Sequence, residues 1–181
     1  AIQVLFEQLE QVKTMKTATT IGNATPAAPL ADSDEIKRRV TYLETKKKPQ
    51  VQWMITQLKK LYAKRPFKHL LDIGGGRGDL SLAVAMIFNA CHVTVIDLNE
   101  QSLQAGRDRA KALNITNITF VLGDALEYLA KEDTQGKDSG DLVATSDRVD
   151  CMVGLHACGG LSDLILNAAV SRGAADRKSV V

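Results

Sequence analysis

The chain has 181 residues, of which 45% are hydrophobic and 24% charged, and its formal net charge is +2. This length and composition predict one globular domain with a core of its own and an additional segment. No apolar run approaches the about 18 residues of a membrane-spanning helix, and the N-terminus lacks the pattern of a secretory signal, so neither is expected.

The three cysteines are Cys91, Cys151 and Cys158, and none of them forms a C-x-x-C pair. An odd number of unpaired cysteines is typical of reduced thiols. We therefore predict an intracellular protein and place it in the cytoplasm, with an organelle or the nucleus left open.

Positive charge is concentrated in residues 35–69, which hold eleven Lys or Arg and two acids. Residues 70–181 hold ten Lys or Arg against fifteen Asp or Glu. A basic segment ahead of an acidic domain predicts a polyanionic partner such as RNA, with Lys46, Lys47 and Lys48 as the contact residues. No DNA specificity is evident. The alternative is a solvated helix face.

The first 68 residues divide into two parts. Residues 1–34 are predicted to be a helix over 1–13, with an apolar stripe that a protein partner or the core must cover, followed by a flexible linker. Residues 35–68 are predicted to form a basic helical lobe in which a new helix begins near Pro49. Trp53 lies off the apolar stripe of that helix, and core packing is favoured over stacking on a ligand.

From residue 69 onward, short apolar runs alternate with segments of helical periodicity. We predict strands over residues 69–73, 92–98, 118–122 and 149–155, and helices over residues 79–89, 100–113, 125–131 and 161–171. A polar loop is expected over 132–147. Such alternation is typical of a parallel sheet covered by helices on both faces, with ligands bound at the carboxyl ends of the strands. Residues 69–181 are therefore predicted to be an α/β domain of the Rossmann-like class.

A glycine-rich turn follows the first strand. Its sequence is Asp-Ile-Gly-Gly-Gly-Arg-Gly, in which the acid is Asp72 and the glycines are Gly74, Gly75, Gly76 and Gly78. The dinucleotide fingerprint G-x-G-x-x-G would need a glycine at Asp79, so a nicotinamide-dependent oxidoreductase is disfavoured. The pattern D-x-G-x-G-x-G resembles motif I of the class I S-adenosylmethionine-dependent methyltransferases. A purely structural tight turn is the alternative.

Further acids stand at the ends of the predicted strands. Asp72 suits the ammonium of the methionine moiety of S-adenosyl-L-methionine, directly or through water. Asp97 can accept hydrogen bonds from two ribose hydroxyls, and Leu98 can pack on the adenine. Asp124, with the backbone of Ala125, can read the adenine edge, although a helix N-cap is the competing interpretation of Asp124.

After the fourth strand stands Gly-Leu-His-Ala-Cys-Gly-Gly-Leu-Ser-Asp, which begins at Gly154. We place Leu155 among the cofactor-binding residues and predict His156 as the catalytic residue, which acts as a general base or orients the acceptor. Cys158 is interpreted as a packing thiol. His156 and Cys158 lack further ligands, so no metal site is predicted.

This element, together with the earlier motifs, resembles a methyltransferase group over residues 46–174. The group contains the methyltransferase domain of the glutathione S-transferase C-terminal domain-containing protein and, more distantly, the methyltransferase-like 25 proteins and a tRNA 2′-O-methyltransferase. The resemblance implies S-adenosylmethionine binding and an RNA substrate. In several relatives a Cys-Pro-Cys-Cys element follows the fifth strand, and this sequence stops before it.

Class I methyltransferase sheets have seven strands, whereas this sequence ends at Ser179-Val180-Val181, the expected start of the fifth. The C-terminal strands are therefore predicted to be missing, either because the chain is a fragment or because another chain supplies that edge. The sequence predicts a methyltransferase acting on RNA. The alternative is an inactive methyltransferase-like subunit that binds RNA or protein within a larger assembly.

Overall fold

The computed structural model describes residues 41–135, 149–155 and 160–171, together with Glu7 and Arg38. The chain divides into two compact units, residues 1–53 and residues 54–181. The predicted helix over 1–13, the linker over 14–34, the loop beyond residue 135 and the strand starting at residue 179 lie outside the described residues, apart from the helical position of Glu7.

Two consecutive helical segments precede the first strand in the sequence. A π-helical turn, Leu43–Lys47, is followed by helix α1, Lys48–Lys64, so the helix predicted near Pro49 is confirmed. Helix α1 begins in the first unit and ends in the second. Its apolar stripe is buried and contains Val51, Met54, Ile55 and Leu58.

Trp53 is the main difference from expectation in this helix. Its side chain is 55% exposed, so the interpretation of Trp53 as a core residue is wrong. With about 100° of rotation per residue, position 53 points away from positions 51, 55 and 58, and burial of that stripe leaves the indole outside.

Within the described residues, the sheet has four parallel strands in the order β3-β2-β1-β4. The strands are β1 His69–Ile73, β2 His92–Asp97, β3 Ile118–Leu122 and β4 Cys151–Val153. The predicted bounds of β1 and β3 are confirmed, whereas β4 is shorter than the predicted 149–155. The chain moves outward from β1 to β3 and then returns to the other side of β1, which creates a crevice at the carboxyl ends of the strands.

Helices connect the strands in the alternation that the sequence predicts. They are α2 Asp79–Ile87, α3 Glu100–Ala112, α4 Ala125–Gln135 and α5 Gly160–Ser171. Helix α4 runs four residues past the predicted end, so residues 132–135 are helical rather than part of a loop. Glu and Gln are good helix formers, and their polarity alone does not indicate a loop. The predicted α/β fold with a parallel sheet is confirmed.

The core lies between the sheet and its helices. One cluster of buried residues on the side of α4 and α5 consists of Leu71, Ile73, Ile96, Ala125, Leu129, Val149, Met152 and Ile165. At the amino-terminal end of the sheet, His69 Nε2 lies 2.9 Å from Thr94 Oγ1 and His92 Nε2 lies 3.1 Å from Thr119 Oγ1. These contacts give both histidines a structural role between neighbouring strands. Among the described helices, none has the length and apolarity needed to cross a bilayer.

Candidate functional site

The glycine turn joins β1 to α2 at the carboxyl edge of the sheet. Gly74, Gly76 and Gly78 have φ values of 70°, 53° and 69°, which residues with a Cβ rarely adopt. The amide of Gly74 donates to the carbonyl of Ile96 at 2.8 Å, and the amide of Gly78 donates to the carbonyl of Gly75 at 2.9 Å. The turn therefore has a defined backbone conformation, directly before the first turn of α2.

Two of the glycines are required by packing inside the protein. A Cβ at Gly75 would lie 2.6 Å from Oδ2 of Asp72 and 2.8 Å from Cγ1 of Val95. A Cβ at Gly78 would lie 2.9 Å from Cε1 of Phe120. Gly74 and Gly76 are therefore the main candidates for close approach of the turn backbone to a ligand.

Asp72 lies under the turn and is 1% exposed. Its carboxylate accepts a hydrogen bond from the hydroxyl of Ser81, a fully buried residue of α2. Asp72 therefore ties β1 to α2 and supports the glycine turn. Direct contact with a cofactor ammonium would require this buried carboxylate to become accessible.

Asp97 stands at the end of β2, beside the turn. Its Oδ2 accepts a hydrogen bond from the amide of Gly76 at 2.9 Å, and its Oδ1 accepts one from the amide of Asn99 at 2.8 Å. A carboxylate has about four acceptor positions, so two are still available to ligand hydroxyls. The half-buried carboxylate is thus fixed in orientation and able to bind a pair of hydroxyls, as predicted for the ribose.

The remaining predicted cofactor residues lie at the ends of β2, β3 and β4. Leu98 follows Asp97 and is 73% exposed, which leaves its side chain available to a flat ring. Oδ1 of Asp124 accepts hydrogen bonds from the amides of Leu126 at 2.8 Å and Glu127 at 3.3 Å, so Asp124 caps α4. Ala125 is buried, and Leu155 is half-buried just after β4.

Asp124 illustrates how capping and ligand binding share one position. The amide of Gly123 donates to the carbonyl of Asp97 at 3.1 Å, which brings the loop after β3 beside the end of β2. Both interpretations of Asp124 in the sequence place its carboxylate at this edge of the sheet. The structure shows the capping contacts, and the contact with adenine stays a prediction.

Four residues around the turn were not included among the predicted site residues: Asp79, Ser81, Arg109 and Phe120. Arg109 of α3 forms an ion pair with Asp79, with 2.6 Å between Nη1 and Oδ1, and both side chains are 10% exposed. The ring of Phe120 packs against Gly78 of the turn and Gly106 of α3. Glycine at position 106 of a helical pattern was the available sequence signal, because it indicates a close approach by another group.

The structure describes the predicted RNA contacts but not the predicted catalytic residue. His156 and Cys158 lie outside the described residues. Lys46 is exposed and Lys47 is half-buried, whereas Lys48 is 9% exposed at the start of α1. The burial of Lys48 leaves little of its side chain accessible, and the contact of the three lysines with RNA stays a prediction.

A comparison with protein families identifies the domain. Residues 46–180 match the family described as "Methyltransferase domain", which is most of the chain. The chain belongs to this methyltransferase family. Membership confirms the predicted enzyme class of this domain and its cofactor, S-adenosyl-L-methionine.

Curated relatives match the chain over a shorter stretch. The chain is 38% identical over 73 residues to the ubiquinone/menaquinone biosynthesis C-methyltransferase UbiE of Ruegeria sp. (strain TM1040), which covers 40% of this chain and 29% of that protein. It is 42% identical over 74 residues to the UbiE protein of Rhodopseudomonas palustris (strain TIE-1), with the same two shares. The matched segment thus spans less than a third of these relatives.

Two solved structures with a similar fold are described as methyltransferases, and both have low sequence identity to this chain. A putative caffeoyl-CoA O-methyltransferase from Staphylococcus aureus is 19% identical, with a TM-score of 0.45 over 79% of this chain and 59% of that chain. A methyltransferase from Thiobacillus denitrificans in complex with S-adenosyl-L-homocysteine is 24% identical, with a TM-score of 0.43 over 63% of this chain and 42% of that chain.

The described residues of the chain fit S-adenosyl-L-methionine. The turn has positive φ at Gly76, and a Cβ placed there would meet only Oδ2 of Asp97, at 3.6 Å. Beside it stand a carboxylate with free acceptor positions and an exposed Leu98. A backbone turn, a hydroxyl-binding acid and an apolar surface are the groups that a nucleoside with a charged tail requires.

Proposed function

We propose that this protein transfers the methyl group of S-adenosyl-L-methionine to RNA. The observation that carries the cofactor part is the hydrogen bond between the Gly76 amide and the Asp97 carboxylate. This bond fixes the proposed ribose acceptor against the glycine turn at the carboxyl edge of a parallel sheet. The sulfonium of the cofactor supplies the activated methyl group, and the residues of the chain bind and orient the reactants.

An RNA acceptor is supported by helix α1. Its 17 residues contain four lysines and no acid. Trp53, Lys60 and Lys64 fall on one stripe of this helix, because they are separated by seven and four residues, and all three are exposed. An exposed aromatic ring beside ammonium groups is the combination that binds single-stranded nucleic acid, by stacking on bases and by contact with phosphates.

The finer family assignment belongs to the same proposal. The sequence from Gly154 to Asp163 supports a place near the methyltransferase domain of the glutathione S-transferase C-terminal domain-containing protein and the methyltransferase-like 25 proteins. The UbiE relatives are C-methyltransferases of ubiquinone and menaquinone biosynthesis. The match covers only 29% of the length of the UbiE protein of Ruegeria sp., so we do not transfer its acceptor to this chain. A small quinone-type acceptor is instead tested beside RNA.

Calorimetric titration tests the cofactor part. S-adenosylmethionine and S-adenosylhomocysteine should both bind to the chain, and NAD should not. If neither adenosyl compound binds at millimolar concentration, the methyltransferase proposal fails for this chain.

A transfer assay tests the acceptor. The chain is incubated with methyl-labelled S-adenosylmethionine and total RNA, and the product is digested with ribonuclease or with protease. If ribonuclease releases the label and protease does not, the acceptor is RNA. Label on a quinone precursor in a parallel reaction would replace RNA by a small molecule. Cofactor binding without transfer to either would favour an inactive binding subunit.

A further inference from the structure

We propose that Arg109 is a positioning residue for the cofactor, because it holds the second half of the glycine turn in its binding conformation. This inference rests on the proposed cofactor function. Arg109 lies on α3, about thirty residues beyond the turn. Its Nη1 atom lies 2.6 Å from Oδ1 of Asp79 and 3.3 Å from the carbonyl oxygen of Arg77.

The two groups that Arg109 contacts flank Gly78 in the sequence. Gly78 has a φ of 69° and is the N-cap of α2, without a side chain to cap the helix. A glycine between two loosely held neighbours would sample several backbone conformations. One guanidinium binds the carbonyl of the Arg77–Gly78 peptide and the side-chain carboxylate of the next residue, Asp79, so it restrains the chain on both sides of Gly78.

The first half of the turn is held in a different way. Backbone bonds from Gly74 to Ile96 and the bond from Gly76 to Asp97 fix it against β2. The second half of the turn is contacted from another helix. Among the described residues, Arg109 of α3 makes this contact with the backbone, at the carbonyl of Arg77. The turn is therefore anchored to β2 on one side and to α3 on the other.

The surroundings of Arg109 indicate that its position is specific. The residue is 9% exposed, and within the described part of the chain its Nε atom has no hydrogen-bond partner. A buried donor without a partner costs stability. The side chain is nonetheless directed so that Nη1 reaches Asp79 and Arg77. A purely structural alternative is that the ion pair only packs α2 against α3.

A double substitution separates the two interpretations. Arg109→Met combined with Asp79→Leu replaces a buried ion pair by apolar side chains, a change that is often neutral or stabilising. If the pair only packs the helices, this variant keeps the affinity of the wild type for S-adenosylhomocysteine. If Arg109 positions the turn, the affinity falls at least tenfold while the urea midpoint of unfolding stays close to that of the wild type, because methionine cannot donate to the carbonyl of Arg77.

A second readout needs no ligand. Amide hydrogen exchange over residues 76–79 should be at least tenfold faster in the ligand-free double variant than in the wild type, with exchange in the core strands unchanged. Arg109→Lys serves as the second variant, because it retains the charge beside Asp79 without the planar guanidinium. In Arg109→Lys, the affinity for S-adenosylhomocysteine should fall at least threefold, and amide exchange over residues 76–79 should be at least threefold faster. Arg107→Met is the matched control, since Arg107 lies on the same helix and pairs with Glu100 at 2.7 Å.

The outcomes are distinguishable. Wild-type affinity and wild-type exchange in the double variant, or in Arg109→Lys if the double variant does not fold, would overturn the positioning role. If the wild type itself binds no S-adenosylhomocysteine, the proposed function fails, and the exchange data alone decide whether Arg109 restrains the turn. The Arg107→Met control should stay within twofold of the wild type in both measurements, and an equal effect there would also overturn the proposal.

Discussion

The amide of Gly76 donates a 2.9 Å hydrogen bond to Oδ2 of Asp97, across the 21 residues that separate them in sequence. This contact joins the glycine turn to the end of β2, and it leaves part of the carboxylate available to a ligand. The carboxylate thereby combines support of the turn with the proposed binding of ribose hydroxyls.

Substitution of Asp97 should weaken cofactor binding. Asp97→Ala removes the acceptor for two ribose hydroxyls, and hydrogen bonds to charged groups contribute about 1.5–3 kcal/mol each. We expect S-adenosylhomocysteine affinity, measured by calorimetry, to fall at least tenfold. Glu127→Ala, which removes an exposed acid from the first turn of α4, is the control and should bind as the wild type does. An Asp97→Ala protein with unchanged affinity would rule out the ribose role.

A methyl group at Gly106 should destabilise the domain. Its Cβ would overlap the ring of Phe120, with Cζ at 2.8 Å, although alanine is favoured over glycine in a helix by about 1 kcal/mol. Overpacking of a core costs about 1–3 kcal/mol, so we expect a lower urea midpoint for Gly106→Ala. Gly123→Ala is the control, because no atom lies within 4 Å of its added Cβ. Recovery of stability in Gly106→Ala with Phe120→Leu would confirm the cause.

The buried thiols should make stability fall at alkaline pH. Burial raises the pKa of Cys91 and of Cys151 to about 12, from an ordinary value of 9.0. The unfolded chain loses these protons near pH 9 and the folded chain does not, so the contribution is complete below pH 9 and is lost as pH rises toward 12. Between pH 8 and 10.5, the free energy of unfolding of the wild type should therefore fall more steeply than that of Cys91→Ala/Cys151→Ala. Equal slopes would contradict the raised pKa values.

Removal of the exposed indole should weaken RNA binding without loss of stability. Stacking of a base on an aromatic ring contributes about 1–3 kcal/mol, so Trp53→Ala should lower the affinity for a single-stranded oligonucleotide at least fivefold. Its melting temperature should hardly change, because Trp53 is 55% exposed. Met86→Ala, at a residue of α2 that is 40% exposed, is the control.

The salt dependence of the same binding reaction tests the phosphate contacts. The logarithm of the affinity should fall linearly with the logarithm of salt concentration, and Lys60→Gln/Lys64→Gln should make the slope shallower by about 1.4 for single strands. If the affinity does not depend on salt concentration, the basic segment does not contact phosphates, and the alternative of a solvated helix face is supported.

Much of the fold followed from local patterns in the sequence. The bounds of β1 and β3 were predictable because each is a short apolar run that ends at glycine or at Gly-Asp. Asp72 and Asp97 could be located because parallel strands bring their carboxyl ends to one edge. The exposure of Trp53 could not be predicted, since an isolated aromatic residue at a helical position gives no indication of whether a neighbour covers it.

The support of the site was less predictable than its position. Arg109 and Asp79 are thirty residues apart, and their pairing depends on how α3 packs beside α2. Phe120 likewise meets Gly78 and Gly106 only through tertiary packing. The two interpretations of Asp124 also could not be separated from sequence, because a helix cap and a ligand-binding acid require the same residue type in the same place.

The contacts described around the glycine turn involve residues between Asp72 and Phe120. Neither β1 with α2 alone nor any shorter peptide contains Ile96, Asp97, Arg109 and Phe120 together. A fragment that ends before β3 should thus leave the turn without part of its framework, even if its helices form. During folding, the turn would reach its final conformation only after β2 has paired with β1 and β3 has paired with β2, which makes cofactor binding a late event in the formation of the domain.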